Sequence, residues 1–249
     1  MSKNSYFKKC NILGVDIDVL SMPRLVQFVT ENLSDIKGSY ICVANVHTTI
    51  TASENSDYMN VQNSSILTIP DGGPLSSYAK KKGYLDIERT TGPDFMNAIL
   101  LISSSKGYRH FFYGSTTETL EKLKGKIQRE HPGVDIVGMY SPPFRKLTDD
   151  ENRQVIQMIN DAKPDFLWVG LGAPKQEIFM FEHKDVLNCL MVGVGAAFDY
   201  KAGNIKRAPI WMQRFNLEWL YRLIQNPGKL WKRYFITNFK FLKKVLLER

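Results

Sequence analysis

Residues 64–83 read SSILTIPDGGPLSSYAKKKG. A short apolar run, Ile66 to Ile69, stops at Pro70 and is followed at once by an acid and two glycines. Runs of this length bounded by turn residues suit a buried strand, and the segment from Pro74 to Gly83 reads as a helix. The unit is therefore strand, tight turn, helix. Working outward, the same unit recurs. SYICVANV (39–46) is a strand followed by a helical stretch from about Thr48. YRHFFYGS (108–115) leads into a helix over 116–133, capped by Ser115 or Thr116 and stopped by Pro132-Gly133. VDIVGMY (134–140) precedes a helix over 148–163, and PDFLWVGLG (164–172) precedes a helix over 174–184. NCLMVGVG (188–195) is a further strand. Helical spacing also covers 22–33 and 92–107, and NILGVDIDVL (11–20) reads as a strand or hairpin. Strands separated by helices of ten or more residues imply an α/β fold with a mostly parallel sheet covered on both faces.

Composition narrows the class. The chain has 249 residues, 43% of them hydrophobic, enough for a full core. The first twenty residues lack a long apolar stretch with a small-residue cleavage site, and no run approaches 18 apolar residues, so neither a secretory signal nor a spanning helix is expected. Cys10, Cys42 and Cys189 are far apart and form no CxxC pair, which predicts a reducing compartment and no disulfide or zinc site. His47, His110, His131 and His183 are equally scattered, so no metal site is expected. The net charge is +8, and 12 of the 33 basic but only 2 of the 25 acidic residues lie in 201–249. That leaves 21 basic against 23 acidic residues before position 201. Trp211, Trp219 and Trp231 share the basic tail, whose mixture of aromatics and cations suits an anionic surface. The division implied is a catalytic α/β domain over 1–200 and a basic, aromatic-rich helical appendage over 201–249.

In open parallel sheets ligands bind beyond the carboxyl ends of the strands. The turns there read as one set: Ala44-Asn45, Asp71-Gly72-Gly73, Gly114-Ser115, Gly170 to Lys175, and Gly193 to Gly195. Glycine turns leading into helices offer free N–H groups to a phosphate, and Lys175 adds a cation. Asp71 has two readings. It caps the helix that starts near Pro74, or it stands in the ligand crevice and handles a proton. A dinucleotide fingerprint fails at both late glycine pairs, because GLGAPK has lysine and GVGAAF phenylalanine where a third glycine is required. A nicotinamide-dependent oxidoreductase is disfavoured accordingly. The tail alone permits a nucleic-acid binder, but that reading leaves the convergent turns unexplained. Asp16 and Asp18 in VDIDV resemble a metal-holding D-x-D pair, yet their alternation with Val15, Ile17 and Val19 fits a half-exposed strand with carboxylates facing water.

The blocks PDFLWVGLGAPKQE (164–177) and VGVGAAFDYKAGNIKRAPIWMQRFNLEWLYRL (192–223), with VAN (43–45), PDGGPL (70–75) and ERTTGPDF (88–95), resemble the WecG/TagA/CpsF family, glycosyltransferase family 26. The similarity runs in order from about Asn11 to the C-terminus. It implies a Rossmann-like fold of the family's own kind and an inverting hexosyltransferase that needs neither metal nor cofactor. Such an enzyme moves a sugar from a UDP-sugar to a polyprenyl-diphosphate-linked sugar, for teichoic acid, capsule or related cell-surface polysaccharides. It implies a cytoplasmic protein held peripherally on an anionic membrane, with no nucleic-acid partner; homo-oligomerisation stays open.

By the same resemblance Asp71 is the general base. Asn45, Thr48, Arg89 and Gln176 contact substrate, and Arg207, Arg214, Arg222 and Arg233 of the tail grip the lipid diphosphate. Gly114, Ser115, Gly172, Pro174, Lys175 and Gly195 form the nucleotide site, with Phe198 and Asp199 flanking the nucleoside. Val43, His47 and the Gly73-Pro74 pair depart from the common pattern, near where a sugar is read.

Overall fold

In the computed structural model the described residues are 6–247, without the side chains of Lys229 and Arg233, so the expected role of Arg233 lies outside them. The chain opens with a hairpin, β1 (Lys9–Ile12) and β2 (Val15–Asp18), then α1 (Met22–Ile36). The body continues as β3 (Tyr40–Ala44), α2 (Val46–Ser53), α3 (Ser56–Asn63), β4 (Leu67–Pro70), α4 (Gly73–Lys81) and α5 (Gly92–Lys106). It goes on with β5 (Arg109–Gly114), α6 (Thr117–Glu130), β6 (Asp135–Tyr140), α7 (Asp149–Ala162), β7 (Phe166–Gly170), α8 (Lys175–His183), β8 (Leu190–Gly193) and α9 (Ala197–Ala202). The tail folds as α10 (Ile210–Arg214), α11 (Glu218–Gln225) and α12 (Pro227–Leu247). α9 crosses residue 200, so the charge boundary falls inside a helix.

The main sheet has six strands in the order β4-β3-β8-β7-β5-β6. Every pair in it is parallel: Ile41 faces Leu67, Tyr40 faces Met191, Trp168 faces Val192, Phe111 faces Leu167 and His110 faces Ile136. All six carboxyl ends therefore lie along one rim. The central strands are apolar at nearly every position because both faces are covered. Leu25 and Val29 of α1, Phe95 and Ile99 of α5 and Leu123 of α6 pack on one face; Val155 and Ile159 of α7 and Phe179 and Met180 of α8 pack on the other. A third cluster ties the hairpin to α2, α3 and α4 and admits Phe241 of α12. No described helix is long and apolar enough to cross a membrane.

Local chemistry sets the element ends, and it corrects several expectations. α2 starts at Val46, ahead of the expected Thr48, because Asn45 and Thr48 form a reciprocal capping box. Thr116, not Ser115, caps α6; Ser115 takes φ +60° instead. The N-cap of α4 is Gly72, with no side-chain cap, so Asp71 does not cap that helix. Asp16 is half-exposed and accepts from Asn11 Nδ2 at 2.7 Å, but Asp18 does not face water. It is fully buried, with Oδ2 accepting the N–H of Thr68 at 2.7 Å and Lys9 Nζ 3.5 Å away. β4 is an edge strand, and the Asp18 carboxylate takes up an N–H group that the missing neighbour leaves open. Burial pushes its pKa up to about 6, against the pull of Lys9 and of the Thr68 N–H.

Candidate active site

Sheet order decides which turns meet. Along the rim stand Asp71 after β4, Asn45 after β3, Gly195 after β8, Gly172 after β7, Ser115 after β5 and Ser141 after β6. Neighbouring strands are about 4.8 Å apart, so Asp71 lies about 14 Å from the β7 turn, three strands away.

At the Asp71 end, the loop before α5 and the tail helices close over β4. The Asp71 N–H bonds Ala44 C=O at 2.8 Å and the Thr90 N–H bonds Pro70 C=O at 2.7 Å, which fixes both loops to the strand ends. Arg89 Nε donates to the Asp71 main-chain carbonyl at 2.9 Å, and its Nη2 pairs with Glu218 Oε2 of α11. Arg207 forks onto Asp94, with Nη2 to Oδ2 at 2.7 Å, and reaches Glu218 Oε1 at 3.4 Å. Thr91 Oγ1 donates to the same Asp94 oxygen at 2.6 Å. The Arg222 guanidinium lies 5.6 Å from the centre of the Tyr200 ring. Asn216, at φ +59°, presses on the start of α4 so closely that a Cβ on Gly73 would sit 1.9 Å from its Oδ1. Only glycine admits that approach. The Asp71 carboxylate is half-buried and accepts no hydrogen bond among the described residues. Burial pushes its pKa up to about 6; Arg89, Arg222 and Arg207 pull it down and Glu218 pushes it up. A carboxylate so tuned takes up a proton near neutral pH.

At the far end a cleft of about 180 Å³ opens between the ends of β5, β6 and β7, lined by Tyr113, Ser115, Phe144, Arg145, Gly170 and Lys175 among others. Phe144 is 87% exposed, an apolar ring presented to whatever occupies the cleft. Lys175 is exposed at the start of α8, directly after its N-cap Pro174. Gly114, at φ +120°, lets β5 pass β7, since a Cβ there would come within 2.7 Å of the Gly170 carbonyl carbon.

The middle of the rim departs from expectation. The N–H groups of Gly172 and Gly195 both donate to Gln176 Oε1, at 3.2 and 3.0 Å. They are thus bound within the protein, and Gln176 is buried instead of reaching out from a first helical turn. The Asn45 side-chain oxygen accepts from the N–H groups of His47 and Thr48, so it serves as the cap of α2. Thr48 is buried, its hydroxyl bonded to the main chain of Asn45, so it holds the cap and does not face a ligand.

Phe198 is fully buried against Phe112, ring centres 5.6 Å apart, and lies under Gly170. It is core and flanks no nucleoside. Asp199 accepts from Asn204 Nδ2 at 3.2 Å and closes α9. Arg214 is exposed at the end of α10. Asp94, Glu177 and Glu218 escaped the sequence reading, although Glu218 is one of only two acids in the basic tail. Among the described residues no group of three or more His, Cys, Asp or Glu side chains is placed to hold a metal ion.

A parallel sheet whose rim carries a carboxylate near arginines at one end and a cleft beside a lysine at the other has the layout of an α/β enzyme that works beyond its strand ends. More narrowly, the chain belongs to the glycosyl transferase WecG/TagA/CpsF family, whose family model matches residues 10–249. It is a glycosyltransferase, and neither a nicotinamide enzyme nor a nucleic-acid binder is favoured. It is similar to N-acetylglucosaminyldiphosphoundecaprenol N-acetyl-beta-D-mannosaminyltransferases. One, from Bacillus spizizenii, is 34% identical over 82% of this chain and 77% of the relative. Another, from Bacillus subtilis, is 32% identical over 86% and 82%. A third, from Staphylococcus aureus, is 27% identical over 94% and 89%.

Proposed function

We propose that the enzyme transfers N-acetylmannosamine, the sugar in its relatives' names, from UDP to N-acetylglucosamine carried on a polyprenyl diphosphate. Asp71 is the general base. The acceptor hydroxyl oxygen attacks the anomeric carbon from the face opposite the departing UDP, so the configuration inverts. Its proton passes to the Asp71 carboxylate, and the bond from the anomeric carbon to the β-phosphate oxygen breaks, its electron pair leaving with UDP. The observation that carries this reading is the placement of Asp71 at the carboxyl end of β4, its carboxylate not used as a helix cap, beneath Arg89 and the α11 helix that Arg89 pairs with. The uridine end of the donor occupies the cleft at Ser115 and Lys175. The sugar then lies over Asn45 and Gln176, between the cleft and the base. Arg214 and Arg222, on the tail helices that cover Asp71, meet the acceptor diphosphate, where cations contribute strong charge-assisted bonds.

The tail also seats the enzyme on the inner face of the membrane. Trp231, Phe235, Phe239, Leu242 and Leu246 form an exposed apolar stripe on α12 beside lysines, as interfacial helices require. The test is a panel of UDP-sugars offered with a short-chain polyprenyl-diphosphate N-acetylglucosamine acceptor, products read by mass spectrometry. UDP is expected to raise the melting temperature, and UDP-N-acetylmannosamine is expected to give a product heavier by one N-acetylhexosamine. No UDP protection and no product with any donor would overturn the proposal.

A further inference from the structure

Beneath the middle of the rim runs a chain of four polar side chains, none more than 4% exposed: Gln62, Tyr58, Glu177 and Gln176. Gln62 Nε2 donates to the Tyr58 hydroxyl at 2.9 Å. Tyr58 donates on to Glu177 Oε2 at 3.1 Å. The other oxygen of Glu177 accepts from Gln176 Nε2 at 2.8 Å. Gln176 Oε1 then receives the two glycine N–H groups, from the turn after β7 and the turn after β8. The chain thus links α3, through the first turn of α8, to two turns of the ligand rim.

Fold stability alone gives little reason for this arrangement. A carboxylate taken out of water is costly, and packed apolar residues hold a core at least as well. What the chain supplies is direction. A carboxylate only accepts, whereas an amide presents a donor on one side and an acceptor on the other. Glu177 therefore obliges Gln176 to turn its NH₂ inward and its oxygen toward the turns. Tyr58 acts likewise on Glu177: its hydroxyl already accepts from Gln62, so its proton points at the carboxylate. Gly172 and Gly195 take φ +77° and +53°, and one shared oxygen ties their turns together. Gly193 leaves room for this, since a Cβ there would stand 3.0 Å from Gln176 Nε2. From the Tyr58 hydroxyl to the two turns each donor meets an acceptor, and a network so directed favours a single geometry, although at its far end Gln62 Oε1 finds no partner among the described residues.

We propose that Glu177 and Tyr58 are positioning residues for the donor: through Gln176 they lock the β7 and β8 turns into the floor on which a nucleoside diphosphate lies. The inference rests on the donor reading above. The floor sits between the cleft at Lys175 and Asp71, where the diphosphate and the sugar must cross. Errors in it fall on donor binding and leave acceptor binding alone.

The test compares wild type with Glu177→Gln and Tyr58→Phe. Glu177→Gln keeps the shape, but its amide can present NH₂ to Gln176, so the direction of the chain is lost. The KM for the UDP-sugar is expected to rise at least tenfold while the KM for the acceptor stays within twofold. UDP affinity should fall at least tenfold and UMP affinity much less, because UMP fills the cleft with little contact to the floor. In ¹⁵N spectra the Gly172 and Gly195 amide signals should shift together. Tyr58→Phe should move every reading the same way by a smaller factor, and it decides the matter alone if Glu177→Gln does not fold. Variants that melt like wild type and keep the UDP-sugar KM, or that raise both KM values equally, overturn the inference. A wild-type protein that binds no UDP removes the donor reading and this inference with it. Wild type that binds UDP no better than both variants removes the inference alone.

Discussion

Asp71 is the residue on which the chemistry turns, and its environment gives it a measurable signature. Burial raises its pKa to about 6 from an ordinary 3.8, although Arg89 opposes the shift. A base must be ionised to work, so kcat/KM should fall on the acid side with an apparent pKa near 6, since that parameter reports the free enzyme. Asp71→Asn should lose about 10²- to 10⁴-fold in turnover, the usual worth of a positioned base, with UDP affinity little changed. Single-turnover rates and UDP titration check this, and near-wild-type turnover in the Asn variant would remove Asp71 from the mechanism. Stability carries the opposite signature. Because the folded pKa is raised, charging Asp71 costs the folded state nothing below pH 3.8 and its full penalty above about 6. Wild type should therefore lose melting temperature relative to Asp71→Asn as pH rises from 4 to 7.

Between elements, the decisive contact is α11 against the loop before α5, made by Glu218 and Arg89, with Arg207 of the segment between α9 and α10 joining Glu218 to Asp94 of α5. Glu218 pairs with Arg89 and Arg207, its side chain 11% exposed. Hydrogen bonds to charged groups are worth about 2 kcal/mol, so Glu218→Gln should loosen this end of the tail. Hydrogen exchange over 210–225 should quicken without change in the sheet. Glu218 also pushes the Asp71 pKa up, so the acid limb of the rate profile should move to lower pH in the same variant. An unmoved limb would show that Glu218 does not act on the base. This pairing was not legible in the sequence, and the reason is general. Periodicity marked the strands and helices, and Gly107 closes α5 at φ +67° as its position suggested. The sequence could also place the strand-end turns, because parallel sheets put them on one rim. It could not order the strands. That β8 runs between β3 and β7 is set by pairing across the chain, and this order buries Phe198 under Gly170 and turns Gln176 onto two glycine turns. Asp18 misled for a related reason: alternation gives the face of a strand, and the β4 edge that covers that face lies 50 residues away.

At the scale of the whole molecule, the net positive charge and most of the exposed large apolar side chains among the described residues lie in the tail. Leu230, Thr237 and Phe241 of α12 turn inward, Phe241 stacking edge-on with Tyr78 at 6.3 Å. The second stripe, Trp231, Phe235, Phe239, Leu242 and Leu246, stays 51–71% exposed. A helix apolar on two sides is fitted to a body on one and a bilayer interface on the other. The cations beside the stripe supply about 1 kcal/mol each against anionic lipid, an attraction that salt screens, whereas the buried rings are indifferent to salt. The protein should therefore float with anionic liposomes at low salt and come off only partly at high salt. Replacing Trp231, Phe235, Phe239 and Leu242 with serine should leave the inward stripe and the sheet intact, make the remaining binding fully reversible by salt, and spare turnover on a water-soluble short-chain acceptor. Turnover on acceptor embedded in vesicles should fall with flotation. If the serine variant floats like wild type at high salt, the outward stripe is not what enters the lipid. If it loses the soluble reaction as well, the stripe serves the fold over Asp71 and not the membrane.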